Sequence, residues 1–121
     1  MILTLPYPPS VNTYWRANGK RRFISKAGME FKQAVQDYVI DNAVPKLGTS
    51  RLSVDIVLCP RSRRICDIDN VLKSILDSLM DAGVYEDDSQ VDDLHIVRGQ
   101  PVKGGAAIVV IEIIKGELNG F

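Results

Sequence analysis

The chain contains little of the chemistry on which zinc sites, disulfide frameworks and membrane spans depend. Its 121 residues include two cysteines, Cys59 and Cys66, and one histidine, His95. These side chains are too few for the four Cys and His ligands of the usual structural zinc site. The cysteines are therefore expected to be free thiols in a reducing cytoplasm. No apolar run approaches the ~18 residues of a membrane span, so no membrane partner is expected.

Several signatures of nucleotide sites and hydrolases are also missing. There is no P-loop, no dinucleotide-binding fingerprint and no Gly-x-Ser-x-Gly motif. An EF-hand calcium loop is excluded because the acidic part of the chain lacks the loop's glycine and its final glutamate. The N-terminus has no basic leader region and reaches Pro6 at once, which predicts an opening strand rather than a signal peptide.

Neither sign of charge is in excess, since 15 Lys and Arg residues balance 15 Asp and Glu residues. A zero total by itself argues against a nucleic-acid partner. The distribution changes that conclusion, because residues 16–32 carry six bases and one acid, whereas residues 67–93 carry nine acids and one base. Arg61, Arg63 and Arg64 form a second basic cluster. The chain can therefore combine a basic, DNA-facing side with an acidic centre whose charge metal ions would offset.

The apolar patterns predict an α+β fold in which two main helices pack on one mixed β-sheet. The length predicts one small domain spanning residues 1–121. Ser25 and the apolar stripe that follows it predict a first helix to about Ala43. The helical spacing of apolar residues from Ile68 to Leu79, closed by Gly83, predicts the second. Strands are expected at residues 2–5, 52–58, about 92–98 and about 106–114, with a hairpin or irregular segment at residues 11–24 and a turn at Asn18-Gly19.

Two acids, Asp67 and Asp69, fall at the start of the second predicted helix. Helix capping would explain one of them, because carboxylates accept free N–H groups there and suit the helix dipole. Two acids, together with Asn70 and the later pair Asp87-Asp88, exceed what capping needs. Magnesium prefers carboxylate oxygens and retains several waters, so two or three acids from separate elements suffice to bind it. We therefore predict a metal site for cutting a nucleic-acid phosphodiester.

The residues leave parts of this acidic centre open. Lys73 lies four residues after Asp69, which favours either an i,i+4 ion pair or a cation directed at the scissile phosphate. Asp87 and Asp88 belong either to a solvated acidic run or to the metal site, and spacing does not choose between them. His95 alternates with apolar residues in a predicted strand and is interpreted as structural rather than as a general base.

The stretch from Tyr14 to Phe23 interleaves aromatic residues with bases. Bases bind phosphates without reading sequence, and exposed aromatic rings can stack on unpaired bases. The alternative is a solvated hairpin whose aromatic residues belong to the core. The candidate DNA-binding residues are Asn12, Tyr14, Arg16, Lys20, Arg21, Arg22, Arg61, Arg63, Arg64 and Asn70.

Taken together, these segments resemble the RusA family of Holliday-junction resolvases. The segments that carry the resemblance are Leu5 to Arg16, the arginine-rich D-x-D-N-x-x-K stretch from Arg63 to Lys73, the acidic block from Gly83 to Val91, and the turn from Val102 to Gly105. They cover nearly the whole chain in order. The chain departs from the pattern at Ile65-Cys66, which separates the arginines from Asp67.

The resemblance implies a small homodimeric endonuclease that depends on Mg²⁺, with Mn²⁺ as a substitute, and holds one or two ions per subunit. Such an enzyme cuts branched, four-way DNA junctions by paired symmetric incisions during recombination and repair. The resemblance implies metal-binding roles for Asp67, Asp69 and Asp88 and a catalytic role for Lys73. It thereby selects Asp88 over Asp87. A cytoplasmic enzyme of a bacterium or a phage is expected.

Two other classes of function are weighed against this one. A non-catalytic protein that binds junctions or single-stranded DNA, with a degenerate metal site, would bind DNA without cutting it. The complete set of Asp67, Asp69, Asp88 and Lys73 argues against that class. A protein-interaction domain whose acidic block contacts a basic partner would leave the arginine clusters unexplained.

Overall fold

A computed structural model describes residues 1–10, 15–19, 21–63 and 67–115 of the chain. For residues 15, 16, 18, 21 and 22 the description extends to the backbone and not to the side chains. In chain order the elements are β1 (Ile2–Leu5), β2 (Trp15–Asn18), β3 (Arg21–Ile24), α1 (Lys26–Asp41), β4 (Leu52–Cys59), α2 (Asp69–Asp81), β5 (Val91–Arg98) and β6 (Ala106–Ile113). A short 3-10 turn, Asp88–Gln90, precedes β5. Neither helix in these ranges is long and apolar enough to cross a bilayer.

Four strands form one sheet in the order β1, β6, β4, β5, and β2 pairs with β3 in a separate ribbon. Strand β6 is antiparallel to both β1 and β4, whereas β5 is parallel to β4. A parallel pair needs a crossover connection, which α2 and its flanking loops supply. The expected α+β fold with a mixed sheet is confirmed, and so is a hairpin that turns at Asn18-Gly19, where Gly19 has a φ of 62°.

Helix α1 begins where the sequence predicts. The Oγ atom of Ser25 accepts a hydrogen bond from the N–H of Gly28 at 3.0 Å, which satisfies one of the free donors of the first turn. The helix ends at Asp41, two residues before the expected end. Ala43 has a φ of 49°, a left-handed backbone conformation through which an α-helix cannot continue.

One face of the four-stranded sheet packs against both helices and forms the core. Buried residues alternate along β4 with more exposed ones, the two-residue period of a strand covered on one side. Helix α2 presents buried side chains at intervals of four residues, which is one face of a helix. The buried core consists mainly of Leu3, Leu5, Phe31, Val35, Leu52, Val54, Ile56, Leu58, Val71, Ile75, Leu79, Val109 and Ile111.

Neither described helix covers the opposite face of the sheet. Ile2 and Val97, at its two borders, keep 68% and 54% of their surface exposed. His95 also lies on this face, exposed, with Nε2 at 2.9 Å from Asp93 Oδ1. It is therefore a surface residue and not part of the core. Exposed apolar side chains on one sheet face are typical of a surface that contacts a partner.

Candidate active site

The two acids at the start of α2 are both exposed and accessible to a ligand. Asp67 lies in the loop before the helix and Asp69 is its first residue. The N-cap position is occupied by Ile68, and no side chain caps the helix there. The Nδ2 atom of Asn70 donates a long hydrogen bond to Asp67 Oδ2 at 3.4 Å. Helix capping therefore does not account for the pair of acids.

Lys73 projects from the next turn of α2 and bridges two acids. Its Nζ donates to Asp77 Oδ1 at 2.9 Å and to Asp88 Oδ2 at 3.4 Å. The i,i+4 partner of Lys73 is thus Asp77, one turn later, and not Asp69, one turn earlier. The side chain of Asp77 is 15% exposed and that of Asp88 31%, whereas that of Lys73 is 56% exposed. The ammonium group is consequently held by the protein and still open to a ligand.

The charge of Lys73 is fixed by these neighbours. Its pKa is raised above the ordinary value of a lysine, first by the hydrogen bond to Asp77 and then by the charges of Asp77 and Asp88, against a lowering effect of burial. A raised lysine pKa keeps the amine protonated at neutral pH. The side chain is therefore a cation and a hydrogen-bond donor to Asp77 and Asp88.

The turn that carries Asp88 is anchored by Gln90, which is buried. The Oε1 atom of Gln90 accepts from the backbone N–H groups of Glu86 and Asp87 at 2.9 and 2.8 Å. Its Nε2 donates to the carbonyl oxygens of Gly48 and Ser50, each at 2.8 Å. One side-chain amide thus satisfies four backbone groups and fastens this turn to the loop before β4.

Asp87 and Asp88, which spacing did not distinguish, have different surroundings. Asp87 Oδ2 accepts a hydrogen bond from Ser89 Oγ at 2.8 Å, which is the main reason that the pKa of Asp87 is lowered. Its side chain also caps the 3-10 turn. Asp88 instead faces Lys73. The structure therefore gives Asp87 a local role in the turn and places Asp88 beside the lysine.

Tyr85 ties the same segment to α2. It is buried, and its hydroxyl donates to the carbonyl oxygen of Leu76 at 2.7 Å. Burial is the main cause that raises the pKa of Tyr85, and the charges of Asp88, Asp77 and Asp87 add to it. The phenol consequently stays protonated at neutral pH and keeps its hydrogen bond.

The acids do not form a ready-made metal cage. Within residues 1–10, 15–19, 21–63 and 67–115, no three Asp, Glu, His or Cys side chains gather closely enough to hold a metal ion. The structure joins Asp88 to Lys73 and Asn70 to Asp67, and does not unite these pairs in one cluster. Magnesium is commonly held by one or two carboxylates, waters and substrate phosphates. The oxygen donors present here fit an ion of that kind, whose remaining ligands would come from the substrate and solvent.

The predicted DNA-binding residues divide into those that the structure describes and those that it does not. Arg61 and Arg63 are exposed in the loop after β4, and Asn70 is half-buried beside Asp67. Asn12, Tyr14, Lys20 and Arg64 lie outside the described residues, as does Cys66. Arg16, Arg21 and Arg22 have their backbone on the hairpin strands, and their side chains lie outside the description.

A groove of about 850 Å³ opens beside Asp67 and Asn70. Helix α1, the turn at residues 6–10, the loop after β4 and the start of α2 surround it. Its residues are Pro6, Tyr7, Pro8, Pro9, Ser10, Ala27, Glu30, Phe31, Ala34, Pro60, Arg61, Ser62, Asp67, Asn70 and Val71. We refer to this feature as the α1–α2 groove.

Comparison with known proteins identifies the family of the chain. The model of the family described as endodeoxyribonuclease RusA matches residues 6–114. The chain belongs to this family. A protein of Enterobacteria phage HK97 named crossover junction endodeoxyribonuclease RusA is 45% identical over 102 residues, which is 84% of either chain. The proteins of that name from Shigella sonnei (strain Ss046) and Escherichia coli (strain K12) are 37% and 36% identical over 106 residues, with 85% of this chain and 86% of each relative covered.

Sequence reasoning missed three residues that shape the site: Asp77, Gln90 and Gly105. The spacing of Lys73 and Asp77 already allows an i,i+4 pair, so the signal for Asp77 was available. The role of Gln90 depends on a loop forty residues earlier in the chain and leaves no local pattern. The sequence suggests only a turn at Gly105, where the structure shows close packing against Tyr7 and Arg61.

Proposed function

We propose that the protein is a divalent-metal-dependent endodeoxyribonuclease that resolves four-way DNA junctions by paired, symmetric incisions in recombination and repair. The observation that carries the proposal is the ion pair between Lys73 and Asp88. It lies beside the start of α2, where two acids are present and no side chain caps the helix. Relatives that are named crossover junction endodeoxyribonucleases supply the substrate class.

In this proposal Asp67, Asp69 and Asp88 hold one or two Mg²⁺ ions per subunit, and Mn²⁺ can replace them. When bound, such an ion would supply positive charge at the scissile phosphate and would lower the pKa of a water molecule. The carboxylates serve as ligands, and no general base is assigned among them. Cleavage then leaves 5′-phosphate and 3′-hydroxyl ends.

Lys73 contributes the part of the mechanism that the structure supports most directly. Its ammonium group is protonated and 56% exposed, and Asp77 holds it next to Asp88. A cation in that place stabilises negative charge that develops on the phosphate oxygens during hydrolysis. Asp77 acts as a positioning residue, because it touches Lys73 and is largely withdrawn from solvent.

DNA binding is assigned to the candidate DNA-binding residues predicted from the sequence. Arg61 and Arg63 contact phosphates beside the scissile bond, and Asn70 orients Asp67 or a nucleotide at the same place. Arg64 and the hairpin segment with Asn12, Tyr14, Arg16, Lys20, Arg21 and Arg22 bind the arms of the junction. Such contacts position the enzyme without reading sequence and weaken as salt concentration rises.

A homodimer completes the proposal. Two symmetric cuts need two active centres, and a two-fold dimer matches a junction whose opposite strands are equivalent. The open face of the sheet, with Ile2 and Val97 exposed, offers apolar surface for association. A cytoplasmic enzyme is proposed because its DNA substrate is there.

The test separates binding from cleavage. Asp69→Asn removes one metal-binding carboxylate without changing the size of the side chain. We expect it to bind a synthetic four-way junction like the unmodified protein and to lose cleavage in Mg²⁺. Asp41→Asn, at the exposed end of α1, is the matched control and keeps both. Linear and three-way DNA are tested in parallel, each with Mg²⁺ and with EDTA.

Two results would refute the proposal. Cleavage of the junction by Asp69→Asn at the unmodified rate excludes this metal site. Junction binding by the unmodified protein, with no nicking in any divalent ion, identifies a non-catalytic binding protein instead.

A further inference from the structure

The α1–α2 groove is large enough to hold a small molecule. Its volume of about 850 Å³ lies within the roughly 300–1,000 Å³ of sites that enclose small ligands. At one end it shares Asp67 and Asn70 with the candidate active site. A molecule bound in the groove therefore lies directly beside the position of the scissile phosphate.

The groove has polar and apolar parts, and its apolar part includes one aromatic ring that is partly exposed. The half-buried Ala27 and Ala34 line it from α1, where Phe31 is buried beneath the surface, and the half-buried Tyr7 lines it from the turn after β1. Flat apolar surface of this kind suits a nucleobase, whose faces are attracted to aromatic and aliphatic side chains. A fully stacked base in a duplex presents only its edges, so the base must leave the stack to use this surface.

Arg61 adds a positive charge to the same wall, and Gly105 makes its position possible. A Cβ atom on Gly105 would lie 2.8 Å from Tyr7 Cβ and 3.0 Å from Arg61 Cγ, closer than such atoms approach. The bare glycine therefore lets the tyrosine and the arginine share one wall of the groove. A guanidinium group beside an apolar surface matches a phosphate attached to a base.

We propose that the α1–α2 groove binds one unstacked nucleotide next to the scissile phosphate, with its base between Tyr7 and the alanines of α1 and its phosphate at Arg61. The inference rests on the proposed junction-cutting function and deepens it. A four-way junction has strands whose stacking is interrupted at the exchange point, and a base there costs less to unstack than one in a continuous duplex. The groove thereby favours a branch point over linear DNA.

The test pairs a change in the groove with a change in the DNA. Ala34→Leu adds bulk inside the groove, and Met29→Phe adds bulk on the exposed side of the same helix as a control. Each protein binds two four-way junctions in EDTA: an intact one, and one with an abasic residue adjoining the cleavage position. Because stacking of one base contributes about 1–3 kcal/mol, the abasic residue should weaken binding by the unmodified protein and by Met29→Phe about tenfold.

Ala34→Leu should bind the intact junction about tenfold more weakly and lose its sensitivity to the abasic residue. Ala27→Leu is a second variant, used if Ala34→Leu melts well below the unmodified protein. The inference is overturned if the abasic residue has the same effect on all of the proteins, or no effect on any of them. It is also overturned if the groove variants change the oligomeric state in light scattering, since a second copy of the chain would then occupy the groove.

The test distinguishes failure of this inference from failure of the proposed function. If the unmodified protein cuts the junction in Mg²⁺ while the abasic residue leaves its binding unchanged, the function stands and the nucleotide site is wrong. If the unmodified protein neither binds nor cuts the junction, both are wrong.

Discussion

Lys73 donates to Asp77 at 2.9 Å, closer than the 3.4 Å that separates it from Asp88. Asp77 is the more buried of the two acids. Asp77 lies on α2 and Asp88 in the turn before β5, and both belong to the connection from β4 to β5. A long lysine side chain loses considerable rotamer freedom when it is held in one place. The contact with Asp77 therefore orients the ammonium group before DNA binds.

The first prediction concerns this contact. Asp77→Asn removes the charge that holds Lys73 and should lower the rate of junction cleavage roughly tenfold to a hundredfold, the cost of a misplaced catalytic group. Junction affinity and the Mg²⁺ concentration for half-maximal rate should stay unchanged, because Asp77 is not assigned to DNA or metal. Single-turnover cleavage and binding titrations measure these quantities.

A double-mutant cycle isolates the mechanism. In a Lys73→Met background, Asp77→Asn should have little further effect, because the two residues act as a unit. Asp81→Asn, on the same helix as Asp77, is the control: it breaks the 3.3 Å ion pair with Lys32 of α1. If the effects of Lys73→Met and Asp77→Asn multiply, or if the Mg²⁺ requirement shifts, Asp77 has a different role.

The second prediction concerns the anchor of the Asp88 turn. Gln90→Glu retains an acceptor for the N–H groups of Glu86 and Asp87, but places a carboxylate oxygen against the carbonyl groups of Gly48 and Ser50. Loss of buried donors costs about 1–3 kcal/mol of unfolding free energy. Denaturant titration measures that loss, and Gln100→Glu, at an exposed position, should be neutral. Equal stability of the two variants would show that Gln90 does not fasten the turn.

The third prediction compares two neighbouring glycines that differ in how closely other residues pack against them. Gly104 and Gly105 have φ values of 78° and 73°, but a Cβ atom on Gly104 would meet nothing within 4 Å. Gly104→Ala should therefore cost only about 1–2 kcal/mol for the left-handed backbone. Gly105→Ala should cost about 1–3 kcal/mol more, because it also collides with Tyr7 and Arg61.

Thermal unfolding compares these two variants, and junction binding should weaken for Gly105→Ala alone. Indistinguishable effects on stability and binding would mean that the turn, and not the wall of the groove, requires glycine.

The fourth prediction concerns acid stability. The guanidinium group of Arg51 donates to both carboxylate oxygens of Asp92 and to the carbonyl oxygen of Ser89, which lies in the turn that carries Asp88. These hydrogen bonds and the charge of Arg51 lower the pKa of Asp92 below its ordinary 3.8. The folded form therefore binds a proton less readily than the unfolded form. The contribution of the Asp92 carboxylate to stability is present above pH 3.8. It is lost as the pH falls through the lowered pKa of Asp92.

The unmodified protein should accordingly lose stability below pH 3.8 more steeply than Asp92→Asn, and the difference between the two should be largest at neutral pH. Urea titrations at pH 7, 4 and 3 measure this difference in unfolding free energy. Asp41→Asn is a control that should behave like the unmodified protein. Parallel curves for all three proteins would remove Asp92 from the acid response.

Local patterns predicted most of the secondary structure and few of the contacts. The two-residue period of β4 and the helical period of α2 depend on burial of one face, which the sequence records directly. The parallel pairing of β5 with β4 was not predicted, because alternation shows which face is buried and not which strand lies beside it. The preference for Asp88 over Asp87 likewise came from the family resemblance, since the residues that separate their roles, Lys73 and Ser89, are identified only once the chain is folded.

The candidate active-site residues all lie in the connection from β4 to β5. Strand β5 is at the edge of the sheet and, among the described strands, is hydrogen-bonded to β4 alone. A border strand opens at a lower free energy than the whole protein, and its opening would carry Gln90 and the Asp88 turn away from Lys73. Cleavage should thus cease while β1, β6 and β4 remain intact. The enzyme would be inactivated by heat through a reversible partial unfolding at its border, before the rest of the chain is exposed to aggregation or proteolysis.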